Sequence, residues 1–212
     1  YYHKNKNMKY TALASKEIIE KTTKALAERN VEAIFVETKE EALEKIKELI
    51  PEGASIMNGA SVTLEQIGFI EHLKSGQHKW NNLHEAILAE KDPAKQAQLR
   101  KQSVLSDFYL GSVHALAETG EFVVASNTGS QLPHIVFTSQ NLILVASTKK
   151  ISSTLKEATE RLYEHVVPLE DVRMMGVYGA HTQVNKIVVF NGENPIYGRK
   201  VRVILVGEDL GY

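Results

Sequence analysis

Apolar positions along the chain alternate between two spacings. Over residues 14–29 they recur with a helical period, with Ile18, Ile19, Ala25 and Leu26 on or near one face. Residues 31–36, Val-Glu-Ala-Ile-Phe-Val, form a short β-branched run that predicts a strand. Residues 38–49 predict a second helix with Ala42, Leu43, Ile46 and Leu49 as its stripe, and its Lys and Glu side chains as a solvated face. Pro51-Glu52-Gly53 breaks it, and a strand over 54–57 ends at Asn58-Gly59. Further helices are predicted over 63–73, 78–89 and 94–108, with Asp92-Pro93 as cap and first-turn proline of the last. Strands over 113–117 and 122–125 flank Thr119-Gly120. Another strand over 142–146 precedes a helix over 154–165, and strands over 186–190 and 201–206 follow. Helices alternating with apolar strands predict an α/β fold, a mainly parallel sheet flanked by helices. With no Gly/Ser/Pro-rich linker and no repeat, residues 1–212 read as one domain, residues 1–10 forming an N-terminal arm.

In open α/β sheets ligands sit beyond the carboxyl ends of strands, so the loops after strands are where chemistry is expected. Three deserve weighing. Gly59-Ala60-Ser61-Val62-Thr63-Leu64-Glu65-Gln66-Ile67-Gly68 follows a strand and opens a helix, with Thr63 and Gln66 spaced as a capping box. Gly59, Ser61 and Thr63 there form either an anion-binding helix start or an ordinary capped helix. Ala117-Glu118-Thr119-Gly120 and Ser126-Asn127-Thr128-Gly129-Ser130-Gln131 form the second group. Glu118 is a candidate base or nucleophile, or a solvated turn residue. Thr119, Gly120 and the run from Ser126 to Gln131 are candidate ligand contacts, or plain loop. Third, Lys149 and Lys150 follow a strand, where a lysine neutralises an anionic ligand or lies on the surface; Asn185-Lys186, Arg199 and Arg202 raise the same pair of readings.

Composition narrows the classes. Lys and Arg number 25 against 26 Asp and Glu, so nucleic acid and anionic membrane surfaces are not expected partners. There is no cysteine, which removes disulfides, cysteine-ligated clusters and a cysteine nucleophile, and fits a reducing, cytoplasmic compartment. No run approaches the ~18 apolar residues of a membrane span, and the polar, basic start does not read as a signal peptide. His72, His78 and His84 are spaced by six and scatter around a helix axis, so no metal set emerges. His114, His134 and His181 lie in or beside the loops of interest, where each alone is more often structural. No cofactor is assigned to the chain.

An ordered set of segments gives these loops a family context. The first is residues 59–68. Ser106-Asp107-Phe108-Tyr109-Leu110-Gly111-Ser112-Val113-His114-Ala115-Leu116-Ala117-Glu118-Thr119-Gly120 follows, then Gly129-Ser130-Gln131-Leu132-Pro133 and Lys149-Lys150-Ile151. Val167-Pro168-Leu169-Glu170-Asp171-Val172-Arg173, Asn185-Lys186 and Val206-Gly207-Glu208-Asp209-Leu210-Gly211-Tyr212 complete it. In this order they resemble the lactate-utilisation (LUD) domain family, which includes the lactate-utilisation protein C type. Where the family often has Gly-Gly-Ser this chain has Gly59-Ala60-Ser61, and His114 stands where an asparagine is usual.

The resemblance implies a fold like that of ribose-5-phosphate isomerases, glucosamine-phosphate deaminases and CoA transferases, with strand-end loops lining a small-molecule cleft. It implies a non-redox subunit or accessory protein in L-lactate (2-hydroxyacid) utilisation, taking a small anionic ligand and working beside iron–sulfur or oxidoreductase partner subunits. The alternatives are a free-standing isomerase- or CoA-transferase-type enzyme using Glu118, and a regulatory binding module. A homo-oligomer is common at this chain length.

Overall fold

The computed structural model describes residues 9–212; the first eight residues of the arm expected over 1–10 lie outside them. Tyr10 is buried, and its hydroxyl donates to Glu164 Oε2 at 2.9 Å.

Helix α1 (Lys16–Glu28), capped by Ser15, leads into strand β1 (Val31–Val36). Helix α2 (Lys39–Leu49) starts at a complete capping box, Thr38 with Glu41, and leads to β2 (Ser55–Asn58). Helices α3 (Val62–Gln66) and α4 (Phe69–Lys74) replace the single helix expected over 63–73. Gly68, with φ of 80°, breaks it, because a left-handed residue cannot continue a right-handed helix. The cap of α3 is Ser61, whose Oγ accepts from the Leu64 N–H; Thr63 does not serve as the cap. The helix expected over 78–89 is a two-residue strand β3 (Asn81–Asn82) followed by α5 (Leu83–Ala89), which Asn82 caps.

Helix α6 (Pro93–Gln102) starts at Asp92-Pro93 as expected but stops short of Phe108, which opens strand β4 (Phe108–Gly111). Strands β5 (Ala115–Ala117), β6 (Phe122–Ser126) and β7 (Asn141–Ser147) follow. A 3-10 turn (Thr148–Lys150) leads into β8 (Ile151–Ser152), then α7 (Leu155–Arg161), a π-helical turn (Leu162–Val166) and α8 (Val167–Tyr178). Strands β9 (Lys186–Phe190) and β10 (Lys200–Val206) complete the order.

The strands form two sheets. One has six strands in the order β1-β10-β7-β4-β2-β3, all parallel. The other has the order β8-β5-β6-β9, antiparallel except for the β5–β8 pair. The parallel sheet is buried on both faces, and its strands divide their side chains between two cores. Ile143, Val145, Ile204 and Val206 face α2, α3 and α4, packing on Ala42, Ile46, Leu64 and Phe69. Leu142, Leu144, Val203 and Leu205 face the second sheet and α1, meeting Leu116, Phe122, Val124 and Leu26. A third core packs Ala115, Val123 and Ala125 under Ala158, Leu162 and Val166. The expected α/β architecture is present, with a second sheet taking much of one face.

The turn at Thr119-Gly120 packs against α1. Gly120 has φ of 94°, and a Cβ there would lie 2.8 Å from the Ala25 carbonyl oxygen. Gly120→Ala is therefore expected to destabilise the fold by about 2 kcal/mol, read as a lower midpoint in urea titration. An unchanged midpoint would show that the turn and α1 relax freely.

Candidate functional site

The carboxyl ends of β2, β4 and β7 open on one cleft of about 460 Å³, a volume suited to a small molecule. Gly59, Ser61, Thr63, Ser126, Asn127, Thr128, Ser130, Gln131 and Lys150 line it, so most of the residues expected from sequence converge here.

Lys150 stands apart chemically. Its residue is 4% exposed, yet it lines the cleft. The Nζ donates to Thr63 Oγ1 at 3.2 Å, Ser112 Oγ at 3.0 Å and the Val113 carbonyl at 3.1 Å. Among the described residues no carboxylate pairs with this amine. Burial, then the charges of Arg161 and Lys149, push its pKa well below the ordinary lysine value.

Local folding explains the placement. Two segments leave the parallel sheet for the second sheet side by side: residues 112–114 between β4 and β5, and residues 148–150 between β7 and β8. The Ser147 side chain caps the second crossing by accepting from the Lys149 N–H. Lys150 reaches from one crossing to the other. Arg161, wholly buried on α7, donates to the His114 carbonyl at 2.7 Å, while its Nε and Nη2 have no partner among the described residues. Burial lowers its pKa to about 10.

The cleft wall adds groups that sequence reading did not assign. The Tyr109 ring is buried and stacked on His134 at 4.3 Å, and its hydroxyl has no partner among the described residues. Burial raises the pKa of that phenol. Gly59 makes room for it, since a Cβ there would run into the Tyr109 hydroxyl. The His114 Nδ1 accepts from the Ala125 N–H at 3.2 Å; burial, then Lys150 and Arg161, lower its pKa to about 3. Burial lowers His134 to about 4. Both rings are therefore neutral near pH 7, a state that leaves one ring nitrogen of each as an acceptor. Glu170 and Arg173 also line the cleft, and form a two-pronged pair at 2.7 Å for each bond.

Some expected site residues lie elsewhere. Glu118 is outside the cleft and paired with Lys21 at 2.7 Å. The Thr119 carbonyl accepts from Arg29 Nε at 2.6 Å, and Gly120 sits against α1, so this turn faces α1 and leaves the cleft to other loops. Lys149 turns away to pair with Asp209 and to donate to the Gly211 carbonyl at 2.8 Å. Gly129, with φ of 85°, shapes the loop under Lys186 and does not line the cleft. The expected anion-binding helix start is weak in itself: α3 has five residues, too few for a strong dipole, which leaves the basic side chains on the wall, Lys150 and Arg100, to attract an anion.

A lysine whose folded pKa is depressed weakens the fold wherever the unfolded chain binds the proton more tightly. Below the ordinary value of 10.5 the unfolded state holds more protons, so this contribution improves as pH rises through that window. Lys150→Met removes the penalty, and Ser112 Oγ can still donate to Thr63 Oγ1 or the Val113 carbonyl. The variant is expected to be more stable than the parent by ~1–2 kcal/mol near neutral pH, the gap closing toward pH 10.5. Thermal melts across that range check it, and a variant less stable near neutral pH would contradict it.

The fold and these loops match a known family. A crystal structure of a DUF162 family protein from Deinococcus radiodurans is similar to this chain, with a TM-score of 0.54 and 15% identity over 92% of this chain and 99% of that one. That likeness concerns the fold. No curated protein matches the chain. The family model described as the LUD domain matches residues 19–181, a stretch holding both crossings, Lys150 and nearly all of the cleft, and on that match the chain belongs to the LUD domain family.

Proposed function

We propose that this protein binds a small anionic ligand in its strand-end cleft and serves as a non-redox subunit or accessory protein in the utilisation of L-lactate or a related 2-hydroxyacid. The observation that carries the binding half is the Lys150 amine: buried, open to the cleft, and without a carboxylate among the described residues. A buried basic group left without a counter-charge is costly, and an entering anion offsets that cost. Ser61, Ser126 and Gln131 on the same walls supply hydroxyl and amide groups to orient it.

Family membership is the support for the lactate-related half. The 212 residues contain no cysteine and so hold no cysteine-ligated cluster, which suits work beside iron–sulfur or oxidoreductase partners. Among the described residues no helix is long and apolar enough to cross a membrane. The Glu118-based enzyme reading gains nothing from the geometry, because that carboxylate is committed to Lys21 outside the cleft.

Thermal unfolding against lactate, glycolate, pyruvate and sulfate tests the binding half. A ligand at ~100 times its dissociation constant stabilises the fold by ~2.7 kcal/mol. A shift with one of the small acids, exceeding that with sulfate and lost in Lys150→Met, is expected. Equal shifts in parent and variant would remove Lys150 from the site. Gentle isolation from the native source tests the other half, with iron–sulfur partners expected alongside.

A further inference from the structure

Charge neutralisation leaves one property of the Lys150 amine unused, its nucleophilicity. We infer that Lys150 Nζ forms an imine with the carbonyl carbon of a small 2-oxo acid bound in the cleft. The inference rests on the reading that a small anion enters beside this residue, and adds a covalent step to it.

Three features of the surroundings carry it. First, no carboxylate among the described residues holds the amine in its ammonium form, and Arg161 and Lys149 both oppose that charge. Burial beside other cations is an arrangement that leaves a lysine with a free electron pair near neutral pH. Second, two of its three neighbours are hydroxyls, Thr63 Oγ1 at 3.2 Å and Ser112 Oγ at 3.0 Å. Hydroxyls both accept and donate, so they can pass protons between the nitrogen and a departing oxygen. An aspartate or glutamate at either position would instead lock the amine as a cation. Third, the same cleft holds a buried hydroxyl with no partner among the described residues, that of Tyr109, kept clear by Gly59. It is free to donate to an oxygen of the bound acid. Arg100, which lines the cleft and has no carboxylate partner among the described residues, favours a carbonyl compound bearing a negative group over a neutral aldehyde.

The step balances without an outside reagent. The nitrogen lone pair attacks the carbonyl carbon, a C–N bond forms, and the π pair moves to oxygen, which takes a proton as the nitrogen loses one. In the resulting carbinolamine the nitrogen pair forms C=N while the C–O bond breaks, and the hydroxyl takes a proton and leaves as water. The iminium then gives up its remaining N–H proton. Amine plus ketone gives imine plus water, with no change of oxidation state.

The test is to incubate the protein with pyruvate, reduce with sodium borohydride, and map the modified peptides by mass spectrometry. The expected result is a reduced pyruvyl group on Lys150, close to one per chain, exceeding that on exposed lysines such as Lys79. It should be absent in Lys150→Arg and Lys150→Met, with both variants folded by circular dichroism. Mapping on the unaltered chain keeps the test decisive should a variant fail to fold. A thermal shift with pyruvate and no adduct on Lys150 would overturn the imine and leave anion binding standing. Neither a shift nor an adduct would overturn both. Labelling confined to exposed lysines would also overturn the imine.

Discussion

Two stretches of chain pass from the parallel sheet to the second sheet side by side, and each must leave the ladder to do so. Backbone carbonyls at such a crossing lose their strand partners while remaining inside the protein, and a buried carbonyl needs a donor. In residues 112–114 the donors are basic side chains. Lys150 serves the Val113 carbonyl and Arg161 the His114 carbonyl. The stacked-sheet architecture thus draws two basic side chains into the interior, and the cleft lies at the carboxyl ends of β2, β4 and β7.

That arrangement is expensive. An ion pair would satisfy a buried lysine at lower cost, and Lys149, one residue earlier, has that solution in Asp209. Lys150 instead has hydroxyls and a carbonyl, and Arg161 keeps two nitrogens without a partner among the described residues. Unsatisfied buried polar groups at and behind one cleft wall mark a place where stability has been given up, and such places concentrate where ligands bind. The neutral His114 and His134 rings fit the same picture, since desolvation is the leading cause of both their shifts.

Much of the frame was legible in the sequence. Strands β1, β7 and β10 belong to a sheet covered on both faces, so they read as nearly unbroken apolar runs. The loops ending at Gly59, Ser126 and Lys150 were marked by strand ends and polar composition alone. Strand β4 was hidden because Phe108 follows a helix and a 3-10 turn with no glycine or proline between them. Helix α8 was missed because none of its residues is buried, so no apolar stripe betrays it. Ser112 and Tyr109 within the site, and Arg161 behind its wall, carry no local signal, since their roles arise from elements far apart in sequence. Thr63 looked like a helix cap and is a lysine acceptor, and Ser61 two residues earlier takes the cap. Nothing local distinguishes Glu118 from a strand-end carboxylate aimed at a cleft; only α1, nearly a hundred residues earlier, claims it.

Strand β10 lies between β1 and β7 and is the sole ladder partner of β1 among the described strands. On a ribosome, the first of the described strands to emerge therefore waits for the last of them. Until residues 200–206 are released, β1 and β7 each present an open apolar edge, and the N-terminal helix-strand unit has no sheet to join. Co-translational folding cannot complete the parallel sheet, whose closure is a long-range event of the kind that slows folding and leaves intermediates prone to association.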